Sequence, residues 1–428
     1  MKKINLYLRM LRNVRLSSLL RNFLMLTAVA IIASAAFVAC SKSNGEEPDG
    51  DGGGGKGKVW VDKKGGKTET FANLDDALLH VQRAGNGDYT IRIGKNQHLT
   101  TDFNFFLQKE QKITLKAESG NVEITRKAGM LHHFEVGWES TLILDKGVTL
   151  KGIGQSATYD EDVGIFVDGK GKLIMNEGAK LTNFNSSAVF LFREGVFEMN
   201  GGTICDNFHW GVEFDDEDAN GSFIMNGGSI SRNGDIGDKG DGYSGVLLGS
   251  GTFTMNNGII SENKNGGVSL IGYGKQLFTM KNGKIINNTG GGVNVSGNYD
   301  TMRATFIMDG GEISGNSAID GGGVGVSSAI FTMNGGVISN NIATGSGAAS
   351  YGYGGGVNLN DDSIFKKNKN CIIYGEDGGK NANTSSSGGA HAVAISRGAL
   401  FARRQFTAGE NDIMSWGSGA PVGWDNYP

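Results

Sequence analysis

From about residue 190 the chain runs in short apolar-alternating pieces broken by Gly and Asn, and the pieces recur. The unit is Phe-x-Met-x-x-Gly-x-Ile-x-x-Asn. Copies begin at Phe197, Phe223, Phe253, Phe278, Phe306 and Phe331, at spacings of 26, 30, 25, 28 and 25 residues. Between them lies a second element, Gly-Val-x-apolar, at residues 211–214, 245–248, 267–270, 292–295, 323–326 and 356–359. Weaker copies run upstream, at 142–144 with Gly147 and at 173–175 with Gly178 and Asn183. Residues two apart on a strand share a face, so Phe and Met point one way together, as do Val and the apolar residue after it. Strands this short cannot bury themselves alone, but stacking unit on unit pairs every strand in a parallel sheet and lines like residues into columns. Three strands per turn at this period predict a parallel β-helix; no unit carries the helical pattern of the common helical repeats.

The ends read differently. Phe71, Leu74, Ala77, Leu78 and Val81 follow a helical period, which predicts a short helix capping the first coil. An open stack needs such covers because its end strands would otherwise pair with other chains. The recurrent Asn207, Asn233, Asn263, Asn288, Asn316 and Asn341 fall at one corner of each coil. They predict an internal ladder of side-chain amides, with Asn taking the left-handed conformation of the corner.

The chain resembles the right-handed parallel β-helix, pectin-lyase-like superfamily, and more closely its class of uncharacterised bacterial surface lipoproteins. The residues that carry this are the Phe-x-Met-Asn-Gly-Gly-x-Ile-Ser-x-Asn coils, the segment Ile372-Ile373-Tyr374-Gly375, residues 389–393 and the closing Gly423-Trp424. The resemblance implies an all-β, right-handed parallel β-helix of about ten coils with the N-terminal capping helix. It implies little about function, because that superfamily mixes lyases, hydrolases, adhesins and structural spikes.

The N-terminus changes the charge. Lys2, Lys3, Arg9, Arg12, Arg15 and Arg21 precede an apolar run at 23–38 that is short for a membrane span, and the run ends in Ala36-Phe37-Val38-Ala39-Cys40. This resembles a bacterial lipoprotein signal with its lipobox, although Phe37 stands where that pattern has Leu. The resemblance implies lipidation of Cys40, removal of 1–39 and anchoring in the bacterial outer membrane. Glu46-Glu47 after the Cys resembles the acidic tags that direct some lipoproteins to the outer surface. Without 1–39 the chain holds 34 basic and 44 acidic residues, a net of −10, and offers no basic stripe for nucleic acid. The expected organisation is a signal at 1–39, a Gly-rich acidic tether at 40–58, and an N-terminal cap with first strands at 59–110. Repeats then fill 111–363, and a C-terminal coil and cap follow at 364–428.

Composition narrows the rest. About 17% Gly with only 3 Pro excludes collagen, and 3 Cys exclude a disulfide scaffold. Cys205 and Cys371 lie six coils apart, too far for a disulfide. Asn-Thr-Asp, Gly-Asp-Asp, His-Gly and Arg-Ile-Lys, the motifs of polygalacturonase-like relatives, do not occur. The nearest acidic constellation is 213–218. There Glu213 and Asp215 project outward about 7 Å apart on one strand, a spacing suited to an inverting acid/base pair with His209 nearby. Asp215, Asp216 and Asp218 form the candidate Ca²⁺ set; an acidic turn is more often plain solvated surface. His132-His133 reads as strand edge. Beside the Gly-Val strands, Phe190, Phe192, Leu247 and Ile271 make an outward apolar platform where most exposed coil positions are Thr, Ser or Asn. Two readings follow: a lipid-anchored, non-catalytic protein binding polysaccharide or another cell surface without a cofactor, or a polysaccharide lyase or glycosidase.

Overall fold

The computed structural model describes residues 58–100, 110–155, 162–214, 220–234, 243–271, 274–297, 303–345, 353–360, 362–368, 371–386 and 392–395. It also gives the backbone of Phe401–Arg404, Asp412–Met414 and Val422–Trp424. Three long sheets, of 15, 11 and 11 strands, run through the chain with neighbours one coil apart in sequence, as a parallel β-helix requires. We name them by their content: the Phe-Met sheet, the Ile-Asn sheet and the Gly-Val sheet. The predicted fold class is the observed one.

The register aligns like with like. Phe223 pairs with Phe197 and Phe253, and Met225 with Met199 and Met255. The rings from Phe197 to Phe365 stack face to face at 4.6–5.0 Å, within 5–22° of parallel. This is the coil rise, and the whole Phe column is fully buried. Beside it runs a buried Met column whose methyl ends set the turn chemistry. At Gly258 φ is 113°, and an added Cβ would lie 2.6 Å from Met225 Cε of the preceding coil. The same holds along the column from Gly202 to Gly336, so this glycine supplies both the left-handed turn and the space for Met.

The Asn ladder is present and fully buried. From Asn207 to Asn341, each Nδ2 donates to the next coil's Oδ1 at 2.8–2.9 Å. The backbone N–H of the same residue donates to that oxygen at 2.9–3.3 Å. Two details differ from expectation. The left-handed residue is the one before each Asn (Asp206, Arg232, Glu262, Asn287, Gly315 and Asn340, φ 54–67°), because the turn must be completed before the amide can aim along the stack. The ladder also has a seventh member, Asn383, which lies 42 residues after Asn341. The glycine of each Gly-Val element makes room for it: a Cβ on Gly245 would lie 2.7 Å from Asn263 Nδ2.

Both ends carry covers. The helix α1 (Leu74–Ala84) buries Leu74, Ala77, Leu78 and Val81, and Asn73 caps it by accepting from the Asp76 N–H at 2.8 Å. Strands Val59–Lys63 and Thr68–Phe71 form an antiparallel hairpin that pairs with Gly87–Ile93 and so occupies that sheet's edge. At the other end, Val422–Trp424 pairs antiparallel with Val393–Ile395, and Asp412–Met414 with Phe401–Arg404.

Where the ladder begins, at the Phe184 N–H that donates to Asn207 Oδ1, the interior turns polar. Arg126 and Asp162 pair there, nearly without exposure, and Asp162 also accepts from the N–H groups of Ile153 and Asn185. His133 lies on the edge strand His132–Val136 of the Gly-Val sheet, as expected, yet it is fully buried, edge-on to Phe184 at 5.4 Å, with Nε2 3.2 Å from the Ile124 carbonyl. Burial, helped by the Arg126 charge, pushes its pKa well below 6.5, so the ring is neutral. Cys205 and Cys371 are buried free thiols.

Candidate functional site

The outward positions of the Gly-Val sheet form one aligned row. In coil order it reads Glu135, Phe166, Phe190, Glu213, Leu247, Ser269, Asn294, Gly325 and Asn358. The row pairs as the sequence period predicts from Phe190 onward. Its upstream members, Phe166 and Glu135, escaped sequence reasoning. Their coils lack the Phe-x-Met-Asn signature, and only strand pairing assigns their register.

Phe166 completes an aromatic cluster. Its ring stacks on Phe190 at 5.4 Å and 9°, and on His132 at 5.8 Å and 18°. Phe192, in the neighbouring outward row, lies 5.8 Å from Phe166 and carries the Arg193 guanidinium 4.8 Å over its ring. Rings stacked along the coil axis use their faces on one another, so this surface presents ring edges to solvent. That geometry favours apolar edge contact over the laying of a sugar ring flat on an open aromatic face. Leu247 is separated from Phe190 by Glu213, and Ile271 stands in the next row, 52% exposed. Further along the row, Ser269 and Asn358 are almost completely buried, whereas Asn294 and Gly325 between them are half-buried.

Ionisable groups rim the cluster. His132 Nε2 lies 3.3 Å from Glu135 Oε2, and Arg193 Nε lies 3.4 Å from Asp168 Oδ1. Burial raises the Asp168 pKa and the Glu135 charge adds to this, against the opposing pull of Arg193. The Ser187 hydroxyl donates to the Glu213 carboxylate. His209 does not stand alone either: its ring stacks on Tyr243 at 3.9 Å, and Trp210 packs edge-on to the same Tyr at 4.6 Å.

Asp215, Asp216 and Asp218 lie outside the described residues, as does Cys40. Among the described residues, no group of three or more His, Cys, Asp and Glu is placed to hold a metal ion, and no helix is long and apolar enough to cross a membrane. Glu135 and Glu213 in the row are three coils apart, about 14 Å at the usual strand spacing. Paired glycosidase carboxylates stand about 5–9.5 Å apart. What the described cluster offers chemically is apolar contact within an ionisable rim.

Comparison with protein-family models, with curated proteins and with solved structures found no match to the chain.

Proposed function

We propose that the chain is a lipid-anchored surface protein of the pectin-lyase-like β-helix type that binds a polysaccharide or another cell surface without cleaving it. The observation that carries this reading is the cluster of Phe166, Phe190 and Phe192 on the outward Gly-Val face. After Glu213 and Leu247, the coils from Ser269 onward place Ser, Asn or Gly in the same row. Outward aromatic groups gathered on adjacent coils contribute nothing to the buried columns, and such patches mark contact surfaces. Membrane attachment through lipid on Cys40 is part of the same proposal and rests on the Ala36–Cys40 pattern. The test is a polysaccharide-binding and cleavage assay on one preparation of the whole chain. Replacing Phe190 and Phe192 by Ala abolishes retention on this reading, and replacing Glu213 by Gln leaves it in place.

A further inference from the structure

A repeat protein announces its special positions by breaking its own repeat, and the breaks cluster. In the turn after Met, four coils carry Gly at one position (Gly201, Gly227, Gly310 and Gly335), whereas two adjacent coils carry the exposed Asn257 and Asn282. On the neighbouring Ile-Asn strands, one register row reads Lys180, Thr203, Ser229, Ile259, Lys284 and Glu312, which sets Lys284 and Glu312 side by side. After Ile373, Tyr374 takes the position that Ser231, Ser261, Ser314 and Ser339 hold.

These departures line one open groove of about 660 Å³, together with Asn381. Asn381 closes the turn Glu376–Asn381, and the segment that carries it is tied to the coils. The Asn340 N–H donates to the Asn381 carbonyl at 3.0 Å, and Asn383, the last ladder amide, donates to the Tyr374 carbonyl. The Tyr374 ring lies against Gly378, where an added Cβ would come within 3.1 Å of Cδ1. Lys284 and Glu312 pair at 2.8 Å, so the floor carries no net charge. Asn257 and Asn282 stand on adjacent coils, and each amide offers donor and acceptor.

We propose that this groove is a second ligand site, taking a neutral sugar unit of an oligosaccharide. Tyr374 contacts its C–H surface, and Asn257 and Asn282 bind adjacent hydroxyls. An aromatic ring beside two amides over a neutral floor suits a polyhydroxylated, uncharged ring. The site is on a different sheet from the Phe cluster and does not depend on it.

The repeat supplies the controls. Asn257→Gly with Asn282→Gly, and separately Tyr374→Ser, install residues that other coils already carry, so the fold is retained. The whole chain is titrated by calorimetry with cellohexaose, mannohexaose and xylohexaose, with hexagalacturonate as the charged comparison. At least one neutral hexaose is expected to bind, tighter than hexagalacturonate. Each variant is expected to weaken it at least tenfold with an unchanged melting temperature, and Phe190→Ala with Phe192→Ala is expected to leave it intact. The proposal is overturned if no neutral hexaose binds, if both variants bind as the parent does, if hexagalacturonate binds better, or if only the Phe variant loses binding.

Discussion

Asn383 donates through Nδ2 to the Tyr374 carbonyl at 2.6 Å while its Oδ1 accepts from Asn341 Nδ2 at 2.9 Å. A single amide thus ends the internal ladder and closes the loop that departs from the regular coil. The column that stabilises the stack also fixes the position of its largest irregularity beside the Ile-Asn sheet.

The ladder is the first thing to test. Asn288→Ala removes the Oδ1 that accepts from both the N–H and Nδ2 of Asn263; the buried N–H and one Nδ2 hydrogen lose their acceptor, while Nδ2 keeps its bond to the Ile230 carbonyl. At about 1–3 kcal/mol for each orphaned hydrogen, the loss is about 2–6 kcal/mol. Asn226 belongs to a separate, exposed amide row, donating to Asn200 and accepting from Asn256. Asn226→Ala is expected to change stability by about 0.5 kcal/mol or less. Denaturant titration of both variants checks this; equal midpoints would remove the ladder from the account.

A second comparison separates backbone strain from overlap. Gly283 has φ 98° and lies under Met255, whose Cε would be 2.6 Å from a new Cβ. Gly120 has φ 63° with nothing within 4 Å. Ala at Gly120 meets only the conformational penalty, about 1–2 kcal/mol. Ala at Gly283 adds the overlap with Met and is expected to destabilise more. Similar melting temperatures would mean that the Met column does not dictate the glycine.

His133 gives the protein a pH dependence of known sign. Its folded pKa is depressed, so the unfolded chain binds the proton more readily. Its contribution is therefore complete above the unfolded value of 6.5 and is lost as pH falls below it. The expected slope is about 1.4 kcal/mol per pH unit. Arg126 and His132 contribute to its surroundings and remain in place in the test variant. In His133→Gln the melting temperature is expected to flatten between pH 6.5 and 5. A parent-like slope there would assign the dependence to other groups.

The proposed anchor is tested at one atom. Cys40→Ala is expected to abolish lipid incorporation and to release the protein into the soluble fraction on cell lysis. Mass spectrometry of the N-terminus and fractionation together decide it, and a lipid-bearing, membrane-associated variant would contradict the lipobox reading.

The fold was legible because a β-helix writes its columns into the sequence: Phe, Met, Gly, Ile and Asn recur because each coil stacks its residues on the same residues below. What the sequence obscured was whatever breaks the spacing. Asn383 joins the ladder across a 42-residue interval that hides its phase. Phe166 and Glu135 sit in coils without the signature, so only their pairing places them beside Phe190. His133 alternates onto the outward face if the strand is read as regular, yet the chain turns it inward against Phe184. The candidate surface was read in part, through Phe190 and Phe192. Its aromatic stacking and its ionisable rim needed coordinates.

The most direct measurement is co-sedimentation of the whole chain with insoluble polysaccharides, with reducing-end release measured on the same samples. The account predicts retention without release, retention lost with Phe190→Ala and Phe192→Ala, and retention kept with Glu213→Gln. Polysaccharide cleavage that survives repurification and disappears in Glu213→Gln would contradict it and make the protein an enzyme.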